Sequence, residues 1–178
     1  MNRHNAKLNA FALQQLQLAA NNRVLEIGFG GGVALPTLIG VAAFVGGVDR
    51  SREMVNRAKA RFAAAVAADR ADFREGTVVA IPFETASFSK ACTVNTIYFW
   101  RSLDAGFAEV RRVLSPVSRV VVGFLPKEHM DRGNFPADIF TSRTPDEVMR
   151  ALAGAGFQDI RVERPTPNTA WNVIVAAC

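Results

Sequence analysis

Residues 24–32, V-L-E-I-G-F-G-G-G, place a carboxylate and four glycines within nine positions. Glycine loses more conformational freedom on folding than any other residue. A cluster of glycines at the end of a strand therefore suggests a backbone left bare for a ligand to approach closely. Arg23–Ile27 reads as the strand and 28–32 as the turn that follows it.

Outward from this turn, strand-like and helix-like patterns alternate. V-A-L-P-T-L-I-G continues past the glycines, and Pro36 is tolerated only near a helix start. Residues 42–49 read as a second strand ending on Asp49. Residues 51–68 read as a helix, with Val55, Ala58, Phe62 and Ala65 on one stripe. A weak third strand follows at 71–73, and a fourth lies within 88–99, ending near Asn95. Ser102 reads as an N-cap, and Leu103, Phe107, Val110 and Leu114 recur at helical spacing behind it. The apolar run at 119–125 suits a strand covered on both faces. T-P-D-E at 144–147 combines a capping box with proline at the first helical position. Val148, Leu152 and Ala155 give that helix its core stripe, and Gly154 or Gly156 ends it. Strands near 158–164 and 170–177 close the chain, and the short loop between them makes the pair antiparallel.

Such alternation predicts an α/β, doubly wound, Rossmann-like sheet of seven strands, mostly parallel, with one antiparallel strand near the C-terminal end and helices on both faces. The 178 residues suit a single domain: a helical cover over 1–21, a core over 22–125, and a lid-like connection, last helix and terminal strand pair over 126–178. The composition, 49% apolar and 21% charged, is that of a soluble globular protein. No apolar run reaches the ~18–20 residues that span a bilayer, and Gln14, Gln15 and Gln17 interrupt any signal-peptide core, so a cytoplasmic location is expected. Cys92, in an apolar run, reads as a small buried hydrophobe. The net charge of +5 is concentrated in Arg50, Arg52, Arg57, Lys59, Arg61, Arg70 and Arg74. No aromatic residues interleave these charges as on a nucleic-acid platform, so they read as a solvated helix face and nucleic acid is not an expected partner.

In a doubly wound sheet, ligands bind at the C-terminal edge where the strand order reverses. A dinucleotide fingerprint, G-x-G-x-x-G, would need glycine at 33, where valine stands; the glycines at 28, 30 and 32 give G-x-G-x-G. Glu26, two residues before the first glycine, would repel a pyrophosphate and suits a cationic ligand without phosphate. Asp49 can accept from both hydroxyls of a ribose, a role shared by both classes of nucleoside cofactor.

Six landmarks then occur in order: E-I-G-F-G-G-G at 26–32, G-V-D-R-S at 47–51, I-P-F with a following S-F at 81–83 and 87–88, N-T-I-Y-F-W at 95–100, E-V-R-R-V-L-S-P at 109–116 and A-G-F-Q-D-I-R-V at 155–162. Together they resemble a class I S-adenosylmethionine-dependent methyltransferase, of the small-molecule type similar to the ubiquinone/menaquinone-biosynthesis enzymes, over nearly the whole chain from residue 22. The resemblance implies S-adenosyl-L-methionine as cofactor, S-adenosyl-L-homocysteine as product, a small-molecule acceptor and no metal. It implies that Gly28, Phe29, Gly30 and Gly32 wrap the methionine part, with Glu26 ordering the loop and the amino group. Asp49 then holds the ribose, Arg50 flanks the adenine, and Asn95 faces the amine and the transferred methyl. Thr77 stands where relatives carry an aspartate toward the adenine, and Val78 packs on the ring. Tyr98 and Trp100 either line the acceptor opening or pack in the core.

Two further departures are Ser89, in place of an acid, and Pro116-Val117-Ser118, in place of a glycine turn. With Thr77 they support an alternative, a non-catalytic cofactor-binding or interaction module on the same fold. A nicotinamide oxidoreductase has the wrong glycine spacing. No catalytic side chain is assigned: His129 reads as an exposed loop histidine, and His4, Asn5 and Asn9 lie on the N-terminal helix near where relatives cover the cofactor. The acceptor pocket is expected from that helix, the 98–104 loop and the 126–143 segment, with a homodimer as the other way of completing it.

Overall fold

The apolar strands assemble into one twisted sheet, seen here in a computed structural model that describes residues 3–178 except 134 and 137, with side chains from residue 6 onward. The strands are β1 Arg23–Ile27, β2 Phe44–Asp49, β3 Ala71–Glu75, β4 Phe88–Val94, β5 Leu114–Phe124, β6 Gln158–Glu163 and β7 Asn172–Ala177, in the order β3-β2-β1-β4-β5-β7-β6. β1 through β5 pair in parallel, and β7 runs antiparallel to both β5 and β6. The single reversed strand is the one expected from the short connection before it. β1 is flanked by β2 and β4, so the order reverses there and a crevice opens beyond the ends of β1, β2 and β4.

Period-two alternation divides the strand side chains between two cores. Leu25, Ile27, Val120 and Val122 face one side with Phe107, Val110, Val148 and Leu152. Val24, Val45, Cys92 and Val121 face the other with Leu8, Ala12, Leu35 and Leu38. The helices are α1 Arg3–Gln15, α2 Leu35–Val41, α3 Arg52–Arg61, α4 Ala63–Ala67, α5 Leu103–Val113, α6 Lys127–Met130 and α7 Pro145–Gly154. α5 starts at the Ser102 cap, whose hydroxyl accepts from Ala105 N, and α7 carries both halves of the Thr144–Glu147 capping box. Gly156, at φ +88°, turns the chain out of α7.

Where bounds differ from the sequence pattern, tertiary contacts account for it. The helix expected over 51–68 breaks at Phe62, which leaves helical geometry while its ring packs on Phe73 at 5.9 Å. β2 starts at Phe44 rather than 42 because Ala42 N–H still closes α2 onto Leu38. β5 starts at Leu114, paired with Phe88 before a register shift, so Val117 sits in strand and is 88% exposed, outside the cleft wall. α1 ends at Gln15, within the expected helical cover over 1–21.

Gly46 and Gly47 at the centre of β2 make room for four aromatic rings. A Cβ on Gly46 would lie 2.5 Å from Phe88, and one on Gly47 would lie 2.7 Å from Phe73 and 2.9 Å from Phe29. Phe29 and Phe73 meet edge-on at 5.6 Å across Gly47, and Phe83 and Phe88 at 5.1 Å across Gly46. Overpacked cores lose about 1–3 kcal/mol. Gly47→Ala is therefore expected to lower unfolding free energy in urea by that amount, whereas Gly40→Ala, in an open helical position, should be neutral or stabilising. Equal stability of Gly47→Ala and the parent would contradict this packing.

Candidate functional site

The turn after β1 is built from three left-handed residues, Gly28 at φ +69°, Gly30 at +48° and Gly32 at +67°. Two have different reasons to be glycine. A Cβ on Gly28 would meet Thr96 Cγ2 at 2.6 Å, so its bareness lets the loop after β4 close in. At Gly30 nothing lies within 4 Å of that position, and the bare backbone faces open space. Thr96 is in turn hydrogen-bonded to Thr93, which donates to Ile27 O at 3.0 Å and locks the ends of β1 and β4 together.

Asp49, at the end of β2, is buried and fastens the turn from the side. Its Oδ2 accepts from Gly30 N at 2.8 Å, and its Oδ1 accepts from Ser51 N at 2.9 Å. A carboxylate offers about four acceptor directions, so two remain. Ser51 caps α3 by accepting from Met54 N. One carboxylate thus joins the glycine turn to the first turn of the next helix.

These elements wall a cleft of about 580 Å³. Of the residues singled out in the sequence, Gly28, Gly30, Asp49, Arg50, Thr77, Val78, Asn95 and Trp100 line it together. Four others stand behind the wall. Phe29 turns its ring into the core against Phe73, because the left-handed glycines on either side aim it inward. Gly32 borders a separate groove beside α3 with Arg57 and Arg61. Tyr98 is buried; its hydroxyl accepts from Leu125 N at 2.5 Å and donates to Asn95 Oδ1 at 3.2 Å. Burial pushes the Tyr98 phenol up to about 12. Tyr98 therefore sets the side chain of Asn95, which itself sits at φ +58° with its N–H on Gly123 O.

Glu26 also lies behind the turn rather than on the cleft wall. It is buried, and Oε2 has no hydrogen-bond partner among the described residues. Burial, followed by the nearby Asp49 charge, raises its pKa to about 8. Cys92, its neighbour on β4, is buried, and its thiol is pushed well up by the same burial.

Several cleft residues were not singled out in the sequence. Phe99, Arg101, Thr96 and Val79 also line it. Phe99 follows Ile97 and Tyr98 in a 3-10 turn whose first two residues are buried, so the third is turned outward at 39% exposure. That turn is visible only in three dimensions. The guanidinium of Arg50 lies over the Phe99 ring, 5.4 Å from its centroid.

The 98–104 loop and the segment after β5 do meet. Thr141 N donates to Tyr98 O at 3.0 Å, Arg143 donates to Trp100 O at 2.7 Å, and Phe140 packs on Phe99 at 5.1 Å. His129 pairs with Glu128 at 3.6 Å and is absent from the cleft wall. The side chains of His4 and Asn5 lie outside the described residues.

The departures at Ser89 and Val117 fall away from the cleft. Ser89 bonds both main-chain polar groups of Arg23 at the start of the β1–β4 pair. The basic 50–74 stretch is largely engaged in structure: Arg52 pairs with Glu75 and Arg74 with Asp72, while Arg70 donates to the carbonyls of Ile39 and Ala42 at the end of α2. Among the described residues, no helix is long and apolar enough to cross a membrane.

A sequence profile of the family described as "Methyltransferase domain" matches residues 24–117, more than half of the chain. A Bacillus subtilis protein described as an uncharacterized methyltransferase is 24% identical over 164 residues, spanning 89% of this chain and 84% of its own length. The ubiquinone/menaquinone biosynthesis C-methyltransferase of Geotalea daltonii is 33% identical over 115 residues, which are 63% of this chain and 49% of that protein. Among solved structures, an S-adenosylmethionine-dependent methyltransferase from Aquifex aeolicus superposes with a TM-score of 0.74 at 23% identity, over 95% of this chain and 88% of that one. The chain belongs to the methyltransferase-domain family, as a class I S-adenosylmethionine-dependent member.

Proposed function

We propose that the protein transfers a methyl group from S-adenosylmethionine to a small-molecule acceptor, with the cofactor in the cleft between the Gly28–Gly30 turn, Asp49 and the 95–100 loop. The observation that carries this reading is Asp49. Its two occupied acceptor directions build the turn, and its two free ones suit the adjacent hydroxyls of a ribose.

The rest of the cleft fits the remaining parts. Gly30 leaves open space where a side chain would stand. Val78 and Thr77 offer an apolar face and a hydroxyl to an adenine, beside Arg50. Asn95, oriented by Tyr98, offers an amide at the end of β4 toward the methionine part. Glu26 stands behind the turn with its carboxyl protonated in the free protein, and a cation bound on the cleft side would favour its ionised form. When bound, the cofactor supplies a methyl on a sulfonium that is already a good leaving group.

The chain's task is then alignment. Positioning of this kind contributes up to about 7–11 kcal/mol, and the Tyr98–Asn95 and Thr93–Thr96 bonds fix the wall against which the reactants would be aligned. A small acceptor would lie in the cleft beside Phe99 and Trp100, with Phe140 packed behind Phe99.

Titration calorimetry with S-adenosylhomocysteine tests this directly, and the absence of heat at high micromolar ligand would contradict it. Asp49→Ala should weaken binding by about 1.5–3 kcal/mol, roughly 10- to 150-fold, and should loosen the Gly30 turn that it anchors. Unchanged affinity would remove Asp49 from the ribose role.

Glu26 makes a second, independent prediction. Its carboxyl is protonated in the fold up to about pH 8, whereas in the unfolded chain it titrates near 4.5. The native state therefore holds the extra proton between those values, and stability declines as pH rises across that window. Glu26→Gln should match the parent at pH 5 and exceed it by a few kcal/mol at pH 8.5. Parallel stability curves from pH 5 to pH 8.5 would show that Glu26 is ionised in the free protein.

A further inference from the structure

Arg101 is the residue shared by two concavities. It lines the cleft together with Phe99 and Trp100, and it lines a second hollow of about 440 Å³ between the starts of α5 and α7. The second hollow also holds Arg143 and Arg150. Its acids are Asp104 and Glu147. Glu147 is committed to the α7 capping box, its Oε2 accepting from both Thr144 N and Thr144 Oγ1. Asp104 lies in the first turn of α5.

Arg143 is fixed by its bond to Trp100 O, yet its Nε is buried without a partner. Arg101 is exposed, and no hydrogen bond or ion pair holds its side chain among the described residues. The other charged side chains of the cleft are Asp49, which builds the turn, and Arg50, whose guanidinium lies over the Phe99 ring with no hydrogen bond or ion pair among the described residues. On the apolar side, Phe99 is 39% exposed and backed by Phe140, which is itself backed by Phe135 at 5.5 Å. The acceptor end therefore presents aromatic surface with Arg50 over the Phe99 ring, Arg101 at its margin and two more guanidiniums beyond.

We propose that the methyl acceptor is an apolar small molecule bearing a carboxylate or phosphate, whose body lies on Phe99 and Phe140 and whose anionic group is read by Arg101 at the mouth of the Arg143–Arg150 hollow. This rests on the methyl-transfer reading of the cleft. Arg101 is a specificity residue in this account, since it recognises the acceptor at a distance from the reacting atoms. A planar guanidinium fork matches carboxylate and phosphate oxygens, and with three arginines against Asp104 and Glu147 the hollow beside it keeps a net positive charge. Neutral apolar molecules would gain only the aromatic contact.

The test uses the full chain saturated with S-adenosylhomocysteine and anilinonaphthalene sulfonate as fluorescent reporter. The competitors are 1-naphthoate, 1-naphthyl phosphate and the neutral 1-naphthalenemethanol, which share one ring system. Both anions are expected to displace the reporter at concentrations at least about tenfold below the alcohol at low salt. The stronger of the two identifies the acceptor's head group. Arg101→Ala should reduce the difference to within about twofold, whereas Phe99→Ala should weaken all three competitors alike. Equal competition by the alcohol, discrimination that survives Arg101→Ala, or no displacement at all would overturn the proposal. Calorimetry with S-adenosylhomocysteine on the same samples separates the two readings: normal cofactor binding without anion discrimination sinks only this inference, and loss of cofactor binding sinks the reading beneath it.

Discussion

The hydrogen bonds from Gly30 N and Ser51 N to Asp49 are the constraint on which the rest of the site depends. A glycine turn has little intrinsic preference for one shape, because glycine samples both signs of φ at small cost. A buried carboxylate that accepts one N–H from the turn and another from the next helix removes that freedom. The charge strengthens each bond. The same carboxylate keeps acceptor capacity toward the cleft, so a ligand meets a surface organised before it arrives.

Much of this was legible in the sequence because it depends on local rules. The alternation of elements gave the sheet, the short last loop gave the reversed strand, and Ser102 and T-P-D-E marked helix starts that the structure places at those residues. The grouping of Gly28, Gly30 and Asp49 followed from their positions at strand ends, and that of Thr77, Val78 and Asn95 from the family resemblance. What was not legible depends on side-chain direction. Phe29 and Tyr98 sit next to cleft residues in the chain but point into the core, where Gly47 and Leu125 receive them. Phe99 and Arg101 point the other way, for reasons set by a 3-10 turn and by a segment some forty residues downstream. The break at Phe62 likewise reflects a ring packed on β3, which helix periodicity does not encode.

The departures from the family's pattern sort by location. Ser89 replaces an acid but secures the main chain of Arg23, and Val117 is an exposed residue of β5 outside the cleft wall. Neither alters the cleft. Thr77 alone lies on its wall, where a hydroxyl substitutes for a carboxylate and Val78 supplies apolar contact. Under the proposed reading, a weaker polar contact at that end would be offset by Asp49 at the other. The 98–104 loop and the segment after β5 are bound to each other by Thr141 and Arg143. In the proposed reading, the turn that would hold the cofactor and the wall that would meet the acceptor are separate parts of the chain.

A crystal structure of the protein grown with S-adenosylhomocysteine is the most direct measurement of the central claim. Density for a ribose within hydrogen-bond distance of both Asp49 oxygens, with the amino acid end beside the bare backbone of Gly30, is the result this account predicts. A nucleoside bound elsewhere, or a diphosphate lying over the turn at residues 28–32, would contradict it.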